Sequence, residues 1–229
     1  MWTDELRAPA LPIWEAVYTH PYILGLADGS LPPSAFRYFV GQDAAYLKDF
    51  SRVLAMLAVK SPYRHHERTW LAHAETVHTV EQELHRELAP TLGLDPATLA
   101  DTTPGPVTAA YADHLVRTAY DRTYPVLVAA VLPCYWIYRE VGLRLQDATP
   151  DYTPYRDWIA TYAGDAYGQS VTEALAMAEE AGARAAASDH GEAVRAFYAS
   201  SRYEWLFWEQ AWSEERSLKT GSWPAIPPR

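Results

Sequence analysis

The sequence predicts an all-α fold built as a single-domain bundle of helices, and three observations carry that prediction. Apolar residues recur at helical spacing almost throughout. No run of alternating β-branched residues is flanked by the turn signals that a strand needs. Prolines fall mostly between the periodic stretches, where they start or stop helices.

Taken in order, a first helix is expected from about Thr3 to Thr19, ended by His20-Pro21, because the residue before a proline is pushed out of helical dihedrals. A second begins at Pro32-Pro33-Ser34 and continues to Lys60. Ser61-Pro62 opens a third that lasts to about Ala89, ahead of Pro90. From Gly93-Leu94-Asp95-Pro96 to Gly105-Pro106 the chain reads as an irregular connection, and helix resumes near Val107. Pro125 starts a helix running to Leu145. Asp151-Tyr152-Thr153-Pro154 leads into one long helical stretch, and a last helix spans about Gly191 to Leu218 before an irregular Gly221-Ser222-Trp223-Pro224 tail. About seven helices in one domain suggest a bundle in which a pocket opens between facing helices.

Composition narrows the function classes. The 229 residues fit one domain, 1–229, and an apolar share of 49% supplies a large core. A net charge of −10, spread along the chain, opposes phosphate backbones and anionic lipid, so nucleic acid and membrane are not expected partners. No uninterrupted apolar run reaches the ~20 residues of a membrane span, and Met1 to Pro9 has no leader character. A cytoplasmic protein is expected. The lone cysteine has no internal disulfide partner and is left as a free thiol.

Polar residues on apolar stripes mark where chemistry interrupts the core, since burying an unpaired polar group costs a few kcal/mol. On the second helix Phe39, Asp43, Tyr46 and Phe50 share a face. On the fourth Val107, Tyr111 and Leu115 do. On the fifth Leu127, Val131, Cys134, Tyr138, Val141 and Leu145 align, so the thiol faces the core beside Tyr138. Trp158, Ile159 and Tyr162 form an aromatic patch, and Glu204, Phe207, Trp208 and Ala211 share a face of the last helix. A free cysteine on an apolar stripe is usually an inert small core residue, and stripe tyrosines are usually core as well. Here one thiol, two carboxylates and several tyrosines recur on faces that should converge, which is costly unless they line a cavity.

The segments Tyr38-Phe39-Val40-Gly41-Gln42-Asp43-Ala44-Ala45-Tyr46-Leu47, Leu132-Pro133-Cys134-Tyr135-Trp136-Ile137-Tyr138 and Tyr203-Glu204-Trp205-Leu206-Phe207-Trp208 resemble the TenA or thiaminase II family, over nearly the whole chain. The resemblance implies a haem-oxygenase-like fold without haem and a homotetramer. It also implies a metal-free, cofactor-free hydrolase that cleaves aminopyrimidines derived from thiamine, or thiamine itself, for salvage. By the same resemblance Cys134 is the nucleophile, Asp43 the pyrimidine-binding carboxylate and Glu204 the acid/base. Tyr46, Tyr111, Tyr138, Tyr162 and Phe207 then line the pocket, whereas Tyr135 and Trp136 pack against neighbouring helices or subunits.

Two other readings stand beside it. Glu75-Thr76-Val77-His78 has the Glu-x-x-His spacing of di-iron sites on helical scaffolds. A second such set is missing, and His65, His66, His73, His78 and His85 among Glu67, Glu81, Glu83 and Glu87 read better as a solvated polar face. The other reading is a non-catalytic pyrimidine-binding or regulatory protein. A nucleophile is not needed for binding alone.

Overall fold

The structure is a computed structural model that describes residues 1–83, 89–95, 99 and 101–218, with the side chains of 80–83 and 214–218 left aside. The tail from Gly221 to Pro224, together with His85, Glu87 and Pro96, lies outside the described residues, as do the side chains of Glu81 and Glu83. Among the described residues every regular element is helical. They are α1 (Trp2–Arg7), a 3₁₀ turn (Ala8–Ala10), α2 (Leu11–Tyr18), α3 (Pro21–Asp28), α4 (Pro33–Lys60), α5 (Arg64–Glu83) and the single turn α6 (Ala89–Thr91). There follow α7 (Pro106–Asp121), α8 (Tyr124–Leu145), α9 (Thr153–Ala163), α10 (Asp165–Ala183) and α11 (Ala187–Leu218).

The best-anticipated bounds are those set by proline. Helix α4 begins at Pro33, where a missing N–H and a fixed φ suit the first helical position, and ends at an extended Ser61 before Pro62. Three elements depart from expectation. The first stretch is interrupted at Ala8–Ala10, where Pro9 tightens the helix into a 3₁₀ turn. Helix α3 was not anticipated: His20 caps it with Nδ1 accepting from the Tyr22 N–H at 3.1 Å, Pro21 sits in its first turn, and Gly29 ends it at φ +79°. The long stretch after Pro154 is two helices, because Gly164 turns extended (ψ 158°) between α9 and α10. The last helix starts at Ala187, a turn earlier than expected.

Helix α8 is the axis of the bundle, packing most extensively on α11 and also on α10, α9 and α7. It is long and apolar enough to cross a membrane by composition, but 72% of that window is buried inside the protein, so its apolar surface is used by the core. Helices α4 and α5 pair along their lengths, and α4 meets α7 and α11. A buried amide network fixes that junction. Gln42 Oε1 accepts from the Gly105 N–H at 2.7 Å and from Thr108 Oγ1 at 2.6 Å, while Gln210 Nε2 donates to Thr108 Oγ1 at 3.0 Å. Each member lies within two turns of a predicted site residue on its own helix (Asp43, Tyr111, Phe207), so satisfying these polar groups also sets the register of three helices. At Gly142, α8 and α9 come so close that an added Cβ would sit 2.5 Å from the Tyr162 carbonyl carbon, which only glycine allows.

Candidate active site

Helices α4, α5, α8, α9 and α10 line a partly open cavity of about 120 Å³. That is the same order as the ~150 Å³ at which a protein cavity accepts benzene. Its wall includes Asp43, Cys134, Tyr138 and Tyr162, and the last two rings lie 4.9 Å apart. Cys134 is half-buried and lines this void. The other four predicted site residues form a layer packed behind. Tyr46 stacks on Tyr111 at 4.9 Å and meets Phe207 at 5.9 Å, and the Tyr111 hydroxyl donates to Glu204 Oε1 at 2.5 Å. Glu204 is 1% exposed.

Desolvation governs the electrostatics. Asp43 is raised to about 7 by burial, and no hydrogen bond to its carboxylate occurs among the described residues. Burial raises Glu204 to about 8, with the Tyr111 hydrogen bond working against the shift and the Asp43 charge adding to it. The Cys134 thiol is pushed well up by burial and further by the Glu204 and Asp43 charges, while the Tyr46 hydroxyl, as a donor, favours the thiolate. That Tyr46 hydroxyl has no hydrogen-bond partner of ordinary geometry among the described residues. The three ionisable groups, from α4, α8 and α11, therefore interact with one another beside the cavity. Burial and the Asp43 charge oppose ionisation of Glu204, which therefore keeps its proton near neutral pH.

Several lining residues were not anticipated. Tyr167 donates to the carbonyl oxygens of Cys134 at 3.1 Å and Tyr135 at 3.2 Å. Pro133 has no N–H, so the Ala129 carbonyl lacks its helical donor one turn before Cys134. Tyr135 packs against α5, as expected, but also lines the cavity. Trp136 meets Trp14 at 5.2 Å and the Arg7 guanidinium at 4.9 Å within the same chain. On α7, Thr108 is buried where Val107 was expected to be, and Val107 and Leu145 are only half-buried.

The solvated-face reading of α5 needs correction. His66 and His73 are buried, 1% and 5% exposed, between α8 and α10. Each bonds a tyrosine hydroxyl through Nδ1 and a glutamate through Nε2: Tyr124 (2.8 Å) and Glu180 (3.1 Å) for His66, Tyr135 (3.1 Å) and Glu173 (3.0 Å) for His73. Glu75 and His78, the di-iron spacing, lie on the exposed side of α5, away from any core position where facing helices hold such a centre.

With this geometry in view, the match to known proteins is decisive: the model of the TENA/THI-4/PQQC family aligns with residues 7–214. The chain belongs to that family. Among curated proteins it is similar to an aminopyrimidine aminohydrolase of Bacillus subtilis, 32% identical over 213 residues, covering 93% of this chain and 90% of that one. Among solved structures it is similar to the TenA homologue protein from P. horikoshii OT3, with TM-score 0.85 and 30% identity over 93% of this chain and 98% of that one. A domain from Shewanella denitrificans described as having a heme oxygenase-like fold matches at TM-score 0.78 and 15% identity, covering 98% of each chain. That likeness speaks to the fold alone, and the helical architecture of this TENA/THI-4/PQQC member is haem-oxygenase-like.

Proposed function

We propose that the protein is an aminopyrimidine aminohydrolase of the thiaminase II kind, acting as one domain over residues 1–229 to release 4-amino-5-hydroxymethyl-2-methylpyrimidine for thiamine salvage. The observation that carries the reading is a thiol on α8 and a carboxyl on α4 in the wall of one aromatic cavity sized for a single heterocycle, with a second buried carboxyl, Glu204, in the layer behind them. A buried carboxylate with no hydrogen-bond partner among the described residues, Asp43, suits the ring nitrogen and exocyclic amine of an aminopyrimidine.

In this reading Cys134 adds to the ring carbon next to C5, and its proton ends on the ring nitrogen held by Asp43. The electron-rich ring expels the amine from the C5 methylene as Glu204 protonates it. Glu204 is suited to this first step because burial keeps its proton on at neutral pH. Water then adds to the methylene and returns a proton to Glu204. The ring nitrogen gives its proton back and the thiolate leaves, so the sum is amine plus water to alcohol plus ammonia. Tyr46 supplies a donor to the thiolate, Tyr111 tunes Glu204, Tyr138 and Tyr162 hold the ring, and Phe207 supports Tyr46 from behind. No metal or cofactor takes part.

The test is turnover of 4-amino-5-aminomethyl-2-methylpyrimidine. Ammonia and the hydroxymethylpyrimidine should appear in equal amounts. No turnover of this or the formylamino analogue, despite binding, would favour the non-catalytic reading. The protein is further proposed to work in the cytoplasm as a homotetramer, without nucleic acid or membrane partners. Exposed Val59, Tyr120, Leu24 and Leu71 are apolar surface that other copies would cover, and light scattering should return about four chain masses.

A further inference from the structure

The flank of the bundle where α5 meets α10 is built from a repeated unit. His66 and His73 are seven residues apart on α5, and Glu173 and Glu180 are seven apart on α10, so two glutamate–histidine–tyrosine sets stack two turns apart. The two sets are not equal. Before His73 stands Ala72, while before His66 stands His65, whose Nε2 lies 2.9 Å from the same Glu180 Oε2 that His66 Nε2 meets at 3.1 Å. Three donor atoms thus converge within 4.8 Å of one another at one set only.

We propose that His65, His66 and Glu180 form a binding site for a divalent transition-metal ion of the zinc class, tying the start of α5 to the end of α10. Two imidazoles and a carboxylate are the ligand types such an ion takes, with water in the fourth position. Bonds of about 2.0–2.2 Å at the tetrahedral angle hold neighbouring ligand atoms roughly 3.3–3.5 Å apart. The two histidine–carboxylate separations, 2.9 and 3.1 Å, therefore need to open by a few tenths of an ångström. An outer shell is already in place for the buried ligand. The Trp70 indole N–H donates to Tyr124 Oη at 2.9 Å, and that oxygen retains a lone pair for the Nδ1–H of His66, 2.8 Å away. This tautomer leaves the His66 Nε2 lone pair for the metal, the arrangement that outer-shell partners impose on ligating histidines. His65 is exposed and Glu180 half-exposed, so the site opens directly to solvent.

The consequence reaches the cavity, because α5 and α10 supply His73, Thr76, Val77, Tyr167 and Ser170 to its wall. An ion at one end of this seam holds that wall closed.

The experiment is competition of chelator-stripped full-length protein against a chromophoric chelator for Zn²⁺, with Co²⁺ absorption reporting coordination. Wild type should take one tight equivalent, show four-coordinate Co²⁺ bands and melt at a higher temperature with metal. His65 is exposed, so His65→Ala should fold and melt like metal-free wild type. It should bind at least about tenfold more weakly and lose the metal-dependent rise, as should Glu180→Gln. Tyr124→Phe, which touches no metal, should weaken binding by about 10–100-fold through lost orientation of His66. Wild type taking no more metal than His65→Ala, or both variants binding as tightly as wild type, would overturn the proposal.

Discussion

The buried carboxyls at and behind the cavity wall and those on its α5–α10 flank are the same chemical group pushed in opposite directions. Asp43 and Glu204 are buried with no cation paired to them among the described residues, and desolvation raises them to about 7 and about 8. Glu173 and Glu180 sit half-exposed against histidines, and hydrogen bonds hold them below the ordinary range: from Gln169 and then His73 for Glu173, from His65 first for Glu180. The lesson concerns proton availability. A carboxyl raised towards neutrality gives and takes a proton at working pH, whereas a depressed one is a fixed charge that anchors a helix.

The largest effect should come from the group both buried carboxyls face. Cys134→Ser should lower turnover by about 10⁴-fold or more, the scale of losing a nucleophile, with pyrimidine binding largely retained in calorimetry. Near wild-type rates in the serine variant would remove covalent catalysis from the account. Next, Glu204→Gln should lower turnover by about 10²–10⁴-fold for amine substrates. A leaving group that needs no proton should partly rescue it and should not rescue Asp43→Asn. Rescue of the Asp43 variant instead would reverse the two roles. On the flank, Glu173→Gln should leave the protonation chemistry untouched.

How much of this was legible in the sequence follows the same division. Stripe positions on single helices were readable: Phe39, Asp43, Tyr46 and Phe50 are all buried, as are Glu204, Phe207, Trp208 and Ala211. Periodicity cannot say which helix a stripe faces, so the sequence alone could not separate the residues at the void from the layer behind them. The α5 histidines were misread because charged neighbours dominated the segment. A signal was present, since His66, Trp70, His73 and Val77 fall at i, i+4, i+7 and i+11, one continuous stripe. Tyr167 was beyond reach for another reason: its place depends on the break at Gly164, which a helix-wide pattern did not reveal.

Stability should separate the two regions by the sign of its pH dependence. In the folded state Asp43 and Glu204 hold protons that the unfolded chain has lost, between about pH 4 and 8. Unliganded stability should therefore fall as pH rises across that window, by a few kcal/mol in order of magnitude. Asp43→Asn and Glu204→Gln should flatten the slope and melt higher than wild type at pH 8. For Glu173 the sign reverses, because its depressed value contributes stability above the ordinary carboxylate range that is lost as pH falls through it. Glu173→Gln should melt below wild type at pH 7 and converge with it only once pH has fallen below the ordinary carboxylate range. A shared slope for both sets of variants would mean that the two kinds of carboxylate are not different in kind.

The smallest effect should come from Tyr111→Phe, and it tests the origin of the inner shift most directly. Burial and the Asp43 charge raise Glu204, while the Tyr111 hydroxyl at 2.5 Å is what holds it down. Removing that hydroxyl leaves the ring in place, stacked on Tyr46 at 4.9 Å and on Tyr203 at 5.2 Å, so the cavity keeps its shape. Glu204 should then titrate higher still. Since expulsion of the amine needs the protonated acid, the alkaline limb of the kcat profile should move to higher pH. The rate at the optimum should fall by less than about tenfold, because the carboxyl itself remains. KM should change little, as Tyr111 acts through Glu204 from the layer behind the void. An alkaline limb that moved to lower pH would mean that the Tyr111 hydroxyl stabilises the protonated carboxyl, and the general-acid step would then need a different account of where its proton is kept.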